Sequence, residues 1–280
     1  MLGSYNLSLQ GKSHITSGKV CQDSSHTMVL ENGWAVALIA DGLGSAKHSD
    51  IGAFLAVSSV IAYLKKYIPK KWNVSKIQPV LRNAYSFAFR NIIEKSFKDG
   101  NPIADYDTTL TVAVYNGSQI VFSHVGDGGI ITLSRHGDFL MLTTPQKGDE
   151  FNSVNPLRSE KWAFGSSAND VCAFSMFTDG IYDVVCPWIL SEQKQPIYIN
   201  YIRPFMDRNV LKADTVRDFV KIKKEVEAFL NSEYNSGITD DKTVATVINT
   251  GTLPAVKSAE YYAEPDWEKL QKENRRKLYS

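Results

Sequence analysis

The residues best suited to chemistry are acids placed where strand-like runs end. Asp41 follows "AVALIA", a run of small and β-branched residues, and precedes Gly42. Asp127 sits in "HVGDGG", Asp179 sits in "FTDG", and Asp240 and Asp241 come just before the run "TVATVI". Any one of them reads as a turn former, because an Asp side chain bonds nearby backbone and a neighbouring Gly relaxes it. Four at corresponding strand ends make a cluster of like charges, in which each acid raises the cost of ionising the others. A bound cation removes that cost. All-oxygen carboxylate sites select hard divalent ions such as magnesium or manganese, and a Gly beside a ligand lets its own carbonyl approach the ion.

The elements that must position these acids follow from periodicity. After Asp41, Ile51, Phe54, Leu55, Ile61, Leu64 and Ile68 recur at helical spacing. A second helix follows from Ile77, Leu81, Ala84, Tyr85, Ala88, Ile92 and Ile93. The period then changes to two. In "TLTVAVYNGSQIVFSHVG" two strands flank Asn116-Gly117, a signal for a type I′ hairpin, and "GIITLSRHGDFLML" repeats the pattern around His136-Gly137-Asp138. A further strand, "VCAFSMF", leads into Thr178-Asp179-Gly180, and a helical stretch from Asp214 to Leu230 precedes the last strand. Hairpins with helices kept apart predict an antiparallel α+β architecture. No repeat or low-complexity linker divides the chain, which predicts one domain over residues 1–250 and a polar tail over 251–280. The tail "EPDWEKLQKENRRKLYS" reads as a solvated helix or as an amphipathic one that docks a partner.

Composition sets the outer limits. With 280 residues, 43% of them hydrophobic, the chain can bury a large core. Lys plus Arg (31) nearly balances Asp plus Glu (30), so no long-range field draws it to nucleic acid or to an anionic membrane. The N-terminus has no basic segment followed by an apolar one, and no apolar run approaches the roughly 18 residues of a spanning helix. A cytoplasmic protein without a membrane partner is expected. Cys21, Cys172 and Cys186 lack metal-ligand spacing and cannot all pair, as expected of inert thiols in a reducing compartment.

Six stretches together carry a family resemblance: "VCQDS" (20–24), "ADGLGS" (40–45), "DTTLTVAV" (107–114), "VGDGG" (125–129), "FTDGIYDVV" (177–185) and "TDDKTVATV" (239–247). In order and approximate spacing the chain resembles the metal-dependent type 2C protein Ser/Thr phosphatases, especially the compact bacterial members, over about residues 10 to 250. The resemblance implies a four-layer α-β-β-α sandwich of two antiparallel sheets flanked by helices, with two Mn2+ or Mg2+ ions, and a possible third, at one end. It also implies the activity: hydrolysis of phosphoserine and phosphothreonine in proteins by a water shared between two metals.

By the same resemblance, Asp41 matches the carboxylate that bridges the metals and Gly42 the residue that offers a carbonyl. Asp179 and Asp240 match the other direct ligands, and Asp23 an acid that holds the second metal through water. The family ligand lies three residues before a Ser or Thr, so Thr243 points to Asp240, with Asp241 as the alternative. Asp127 matches an acid of a third metal site or remains a turn residue.

Three departures from the family pattern stand out. Gln22 replaces a Glu, which removes a charge and keeps an oxygen. The Arg that grips substrate phosphate would fall near Gly18, leaving Lys19, Lys12 or His14 as substitutes. Leu43 replaces a His that protonates the leaving group. The segment from residue 143 to 170, where the family places a flap, reads as a lid or as an ordinary connection. Two functions follow. One is a monomeric phosphoprotein phosphatase opposing a Ser/Thr kinase in bacterial signalling, and the other is a pseudophosphatase that binds phosphoproteins or a kinase.

Overall fold

The computed structural model describes residues 1–146, 148 and 154–278. In chain order its strands and helices are β1 (Leu2–Leu9), α1 (Lys12–Ser17), β2 (Ser24–Val29), β3 (Ala35–Ala40), α2 (Ser49–Tyr67) and α3 (Val74–Asp99). Next come β4 (Leu110–Tyr115), β5 (Ile120–Val125), β6 (Gly129–Ser134), β7 (Phe139–Met141), β8 (Ala163–Ser166) and β9 (Val171–Phe177). The chain then runs through α4 (Asp179–Val185), α5 (Ile199–Met206), α6 (Val216–Leu230), β10 (Lys242–Asn249) and α7 (Trp267–Leu278).

The strands form two five-stranded antiparallel sheets, ordered β1-β10-β9-β6-β7 and β2-β3-β4-β5-β8. Alternation along each strand divides the apolar residues between two layers. On β3, Ala35, Ala37 and Ile39 face the other sheet and meet Phe174, Met176, Ala245 and Val247. Val36, Leu38 and Ala40 of the same strand pack outward under α2 and α3. The opposite sheet carries α4, α5 and α6, with Val244, Ile248 and Phe177 beneath them. The expected four-layer α-β-β-α sandwich is therefore present, and its central strands are buried on both faces, which is why β3 reads as an unbroken apolar run.

Several expectations change in detail. The connection from β4 to β5 is a four-residue loop in place of a two-residue turn: Tyr115 pairs with Ile120, and the Asn116 carboxamide oxygen accepts from Ser118 N (2.9 Å) and Gln119 N (2.8 Å). Gly117 supplies the positive φ there. On α2 the face that goes down is Ala53, Ala56, Val57, Val60 and Leu64, while Phe54 is exposed. Small residues let this helix approach closely. The C-terminal segment folds back, with Tyr261, Tyr262, Trp267 and Leu270 packed against the α4–α6 side of the core. No helix among the described residues is long and apolar enough to cross a membrane.

The close approach of α2 has a consequence for the loops beyond it. A Cβ at Gly52 would stand 2.1 Å from the carbonyl oxygen of Tyr106, the residue before Asp107. Gly52→Ala must therefore push α2 away from residues 105–109, at a cost of about 1–3 kcal/mol for an overpacked contact. Urea unfolding checks this. A midpoint equal to wild type would mean that the contact gives way freely.

Candidate metal centre

All four strand-end positions converge. Asp41 follows the last residue of β3, Asp127 lies two residues beyond β5, Asp179 opens α4 just after β9, and Asp240 lies two residues before β10. Their side chains line one cleft of ≈ 620 Å³, with His14, Gln22, Gly42, Leu43, Asp107 and Arg158 around them. One carboxylate oxygen each from Asp41, Asp127 and Asp179 falls within a 4.8 Å cluster, and a second cluster of that size joins His14, Asp240 and Asp241.

The backbone at Asp41 is held from both sides. Its N–H donates to Thr109 Oγ1 (2.9 Å), and its carbonyl accepts from Thr109 N (2.8 Å) and Thr108 Oγ1 (2.9 Å). Gly42 N donates to Gln22 O (3.1 Å). A Cβ at Gly42 would lie 2.7 Å from Gln22 O and from the Ser49 carbonyl, so only glycine fits between these two segments. The carboxylate of Asp41 is left for the cleft.

Asp240 and Asp241 have different surroundings. Asp240 is exposed and lines the cleft, its Oδ1 accepting only from Asp241 N (2.8 Å). Asp241 is 3% exposed. Its Oδ1 accepts from Gly11 N (2.7 Å) and its Oδ2 from Gln22 N (2.6 Å), while His14 Nδ1 lies 2.9 Å from Oδ1. Asp241 thus ties the segment from Gly11 to Gln22 onto β10. Asp23 stands behind the cleft, its Oδ2 accepting from Thr178 Oγ1 (2.8 Å).

Of the cations considered from sequence, His14 lines the cleft. Lys12 and Lys19 do not; Lys19 Nζ donates to Gly44 O (3.2 Å) at the surface. Sequence reasoning missed Asp107 and Arg158. Asp107 carried a signal, as one more acid at a strand start; Arg158 carried none. Residues 147 and 149–153 of the flap segment lie outside the described residues, but Val154, Pro156 and Arg158 form part of the cleft wall.

The acids resist ionisation together. Burial raises Asp41 well above the usual carboxylate range, and the charges of Asp23, Asp179 and Asp127 add to it. Burial likewise lifts Asp23 to about 8, reinforced by Asp241 and Asp179 and offset in part by the hydroxyls of Thr243 and Thr178. Asp127 rises to about 7 through burial and the charge of Asp179. Two further oxygens, Asp127 Oδ1 and Gln22 Oε1, are buried without a hydrogen-bond partner among the described residues. Orphaned acceptors beside crowded carboxylates are what a divalent cation satisfies.

Comparison with known proteins agrees with this geometry. Residues 10–231 match the family described as Protein phosphatase 2C. The chain belongs to that family. It is 25% identical over 251 residues to Serine/threonine-protein phosphatase 3 of Escherichia coli (strain K12), covering 85% of this chain and 94% of that protein. Its fold resembles a bacterial serine phosphatase (TM-score 0.64, 12% identity, 92% of this chain and 100% of that one). It also resembles the serine/threonine phosphatase Stp1 from Staphylococcus aureus (TM-score 0.62, 12% identity, 89% and 95%).

Two outcomes follow for this phosphatase. Asp240→Asn keeps the bond to Asp241 N and leaves thermal stability level while turnover collapses. Asp241→Asn sets an amide N–H against a buried backbone N–H and lowers stability by about 1–3 kcal/mol. Melting and turnover, measured together, separate the two roles; loss of activity with wild-type melting in Asp241→Asn would reverse them. The second outcome concerns pH. Folded-state values near 7 for Asp127 and 8 for Asp23, against 3.8 unperturbed, mean that the fold holds protons the unfolded chain has released. The metal-free protein therefore loses this part of its stability as pH rises from about 4 toward 8. A cation must displace the same protons, so the gain in melting temperature from saturating manganese grows between pH 6 and 8. A gain that is flat across that window would count against a cation at these acids.

Proposed function

We propose that this phosphatase removes phosphate from phosphoserine and phosphothreonine in proteins, opposing a Ser/Thr kinase, with two manganese or magnesium ions held at the strand-end acids. Asp41, Asp179 and Asp240 would hold the ions, with the Gly42 carbonyl as a further oxygen ligand and Asp23 in support through water. Asp127 would join Asp179 in holding a third, weaker ion. The observation that carries this reading is the convergence of Asp41, Asp127, Asp179 and Asp240 on one cleft, with Asp41, Asp127 and Asp179 held above the usual carboxylate pKa range and oxygens of Asp127 and Gln22 buried without partners among the described residues. A related fold supports the ion class: RsbX was solved in complex with magnesium (TM-score 0.50, 15% identity, 88% of this chain and 92% of that one).

Bound there, a metal pair supplies an activated water and neutralises the phosphoryl oxygens, the two demands of a very slow hydrolysis. The chain supplies the rest. The Thr108–Thr109 clamp fixes the main chain of Asp41, so the carboxylate does not move as charge builds up. Gln22 offers its orphaned amide oxygen in place of a charged ligand. Leu43 puts an apolar side chain at the wall, so no imidazole acts from that position; His14, with Nδ1 close to Asp241, is the imidazole that lines the cleft.

Asp41→Asn and Asp179→Asn should each abolish manganese-dependent turnover of p-nitrophenyl phosphate and of a phosphothreonine peptide, while metal-free melting stays level or rises because repulsion is relieved. Chelator should silence the wild type. Turnover by either variant near the wild-type rate at saturating manganese would refute the assignment, and a folded wild type that binds manganese yet hydrolyses neither substrate would favour the pseudophosphatase.

A further inference from the structure

The cleft has an electrostatic difficulty on its substrate side. Five aspartates, Asp41, Asp107, Asp127, Asp179 and Asp240, line it, and a phosphomonoester dianion must enter among them. Of the described side chains in its wall, Arg158 alone carries positive charge at every working pH. It is 45% exposed, and its Nε donates to both carboxylate oxygens of Asp107, at 2.6 and 2.8 Å. A guanidinium has five N–H donors in a planar fork. Since Nε makes both bonds to Asp107, the Nη edge has no partner among the described residues.

The placement of this group is built in. Asp107 is 9% exposed. Its carbonyl accepts from Leu43 N (3.0 Å), and the next carbonyl, of Thr108, accepts from Leu157 N (2.7 Å). The stretch from Asp107 to Thr109 therefore holds Arg158 through one side chain and one backbone bond, and holds Asp41 through Thr108 and Thr109. One short segment sets the guanidinium relative to the acid at the centre of the cleft.

We propose that Arg158 is a phosphate-binding residue, its Nη edge receiving the non-reacting oxygens of a phosphomonoester, and that Asp107 is the positioning residue that aims it. This rests on the reading of the cleft as a phosphatase site. The ligand chemistry is a tetrahedral phosphate dianion, whether the phosphoryl group of a phosphopeptide or inorganic phosphate left after hydrolysis. It supplies from the 154–159 segment the cation that is absent near Gly18.

The test uses the full chain loaded with manganese. In Arg158→Ala and in Arg158→Gln, which keeps an amide donor for Asp107, KM for a phosphothreonine peptide and the inhibition constant of inorganic phosphate should rise together by about 10–100-fold, the loss expected for a charge-assisted forked contact. Calorimetry should show weakened phosphate binding with manganese affinity unchanged. Asp107→Asn should give a smaller rise in both constants. Arg158→Lys, a point charge without the fork, should recover part of the loss. Unchanged phosphate binding in folded Arg158→Gln overturns the proposal, as does a loss of manganese affinity matching the loss of phosphate. If wild type binds no phosphate and hydrolyses no phosphopeptide, the phosphatase reading falls with it; if wild type does both and Arg158→Gln matches it, Arg158 alone is misassigned.

Discussion

Mutual repulsion among buried carboxylates governs the cleft end of this fold. Burial first, and then the charges of the others, raise the pKa of each of Asp23, Asp41, Asp127 and Asp179, so ionising them together is costly without a compensating charge. A protein selected for stability alone would not gather them. They persist because the surrounding segments are fixed by bonds that ignore the carboxylates: the Thr108–Thr109 clamp at Asp41 and the bond from Gly42 N to Gln22 O. The scaffold bears the strain, and a bound cation would relieve it.

The two sheets divide this work. Asp41 and Asp127 end strands of one sheet, while Asp179 and Asp240 adjoin strands of the other, so the small residues between the layers fix the spacing across the cleft. Ala35, Ala37, Ala113 and Ala245 allow the sheets to lie close, and Tyr115 spans from one to the other with its hydroxyl on Val171 O (2.7 Å). Asp241 then joins β10 to the segment bearing Gln22 and Asp23, which belongs to the opposite sheet. Packing in the middle of the sandwich and hydrogen bonding at its end act on the same distances.

What the sequence revealed follows from which signals are local. The buried strands β3, β4, β5, β6, β9 and β10 announce themselves as apolar runs, and the acids at their ends are visible because a charge beside such a run is out of place. β1 and β2, "LGSYNLSL" and "SSHTMV", are polar and went unread. They are stabilised by contacts that no local pattern encodes: Asn6 Nδ2 donates to Ser25 O (3.1 Å), Asn6 Oδ1 accepts from Thr27 N (3.2 Å), and Ser8 pairs with Ser25. The buried face of α2 was misjudged for a related reason. Size favoured Phe54, but the neighbouring backbone at Tyr106 demanded Gly52 and alanines. The Asp240–Asp241 choice turns on Thr243 in sequence; in the structure the two differ in surroundings, Asp241 being buried against three neighbours drawn from residues 11 to 22.

The departures from the family pattern are consistent with one another in space. Gln22, Gly18 and Leu43 together subtract a negative charge, a positive charge and an imidazole from the N-terminal half of the wall. His14 and Arg158 stand in that wall, Arg158 held by the buried Asp107 and His14 with its Nδ1 2.9 Å from Oδ1 of the buried Asp241. Both acids accept bonds that tie segments together, whereas Asp41 and Asp240 accept no bond from any cationic side chain among the described residues of the wall. The wall thus sorts its carboxylates into two kinds. Those with partners fix neighbouring segments, and those without leave their charge to the cleft, so that under the proposed function one small volume would hold a cation and a phosphate side by side.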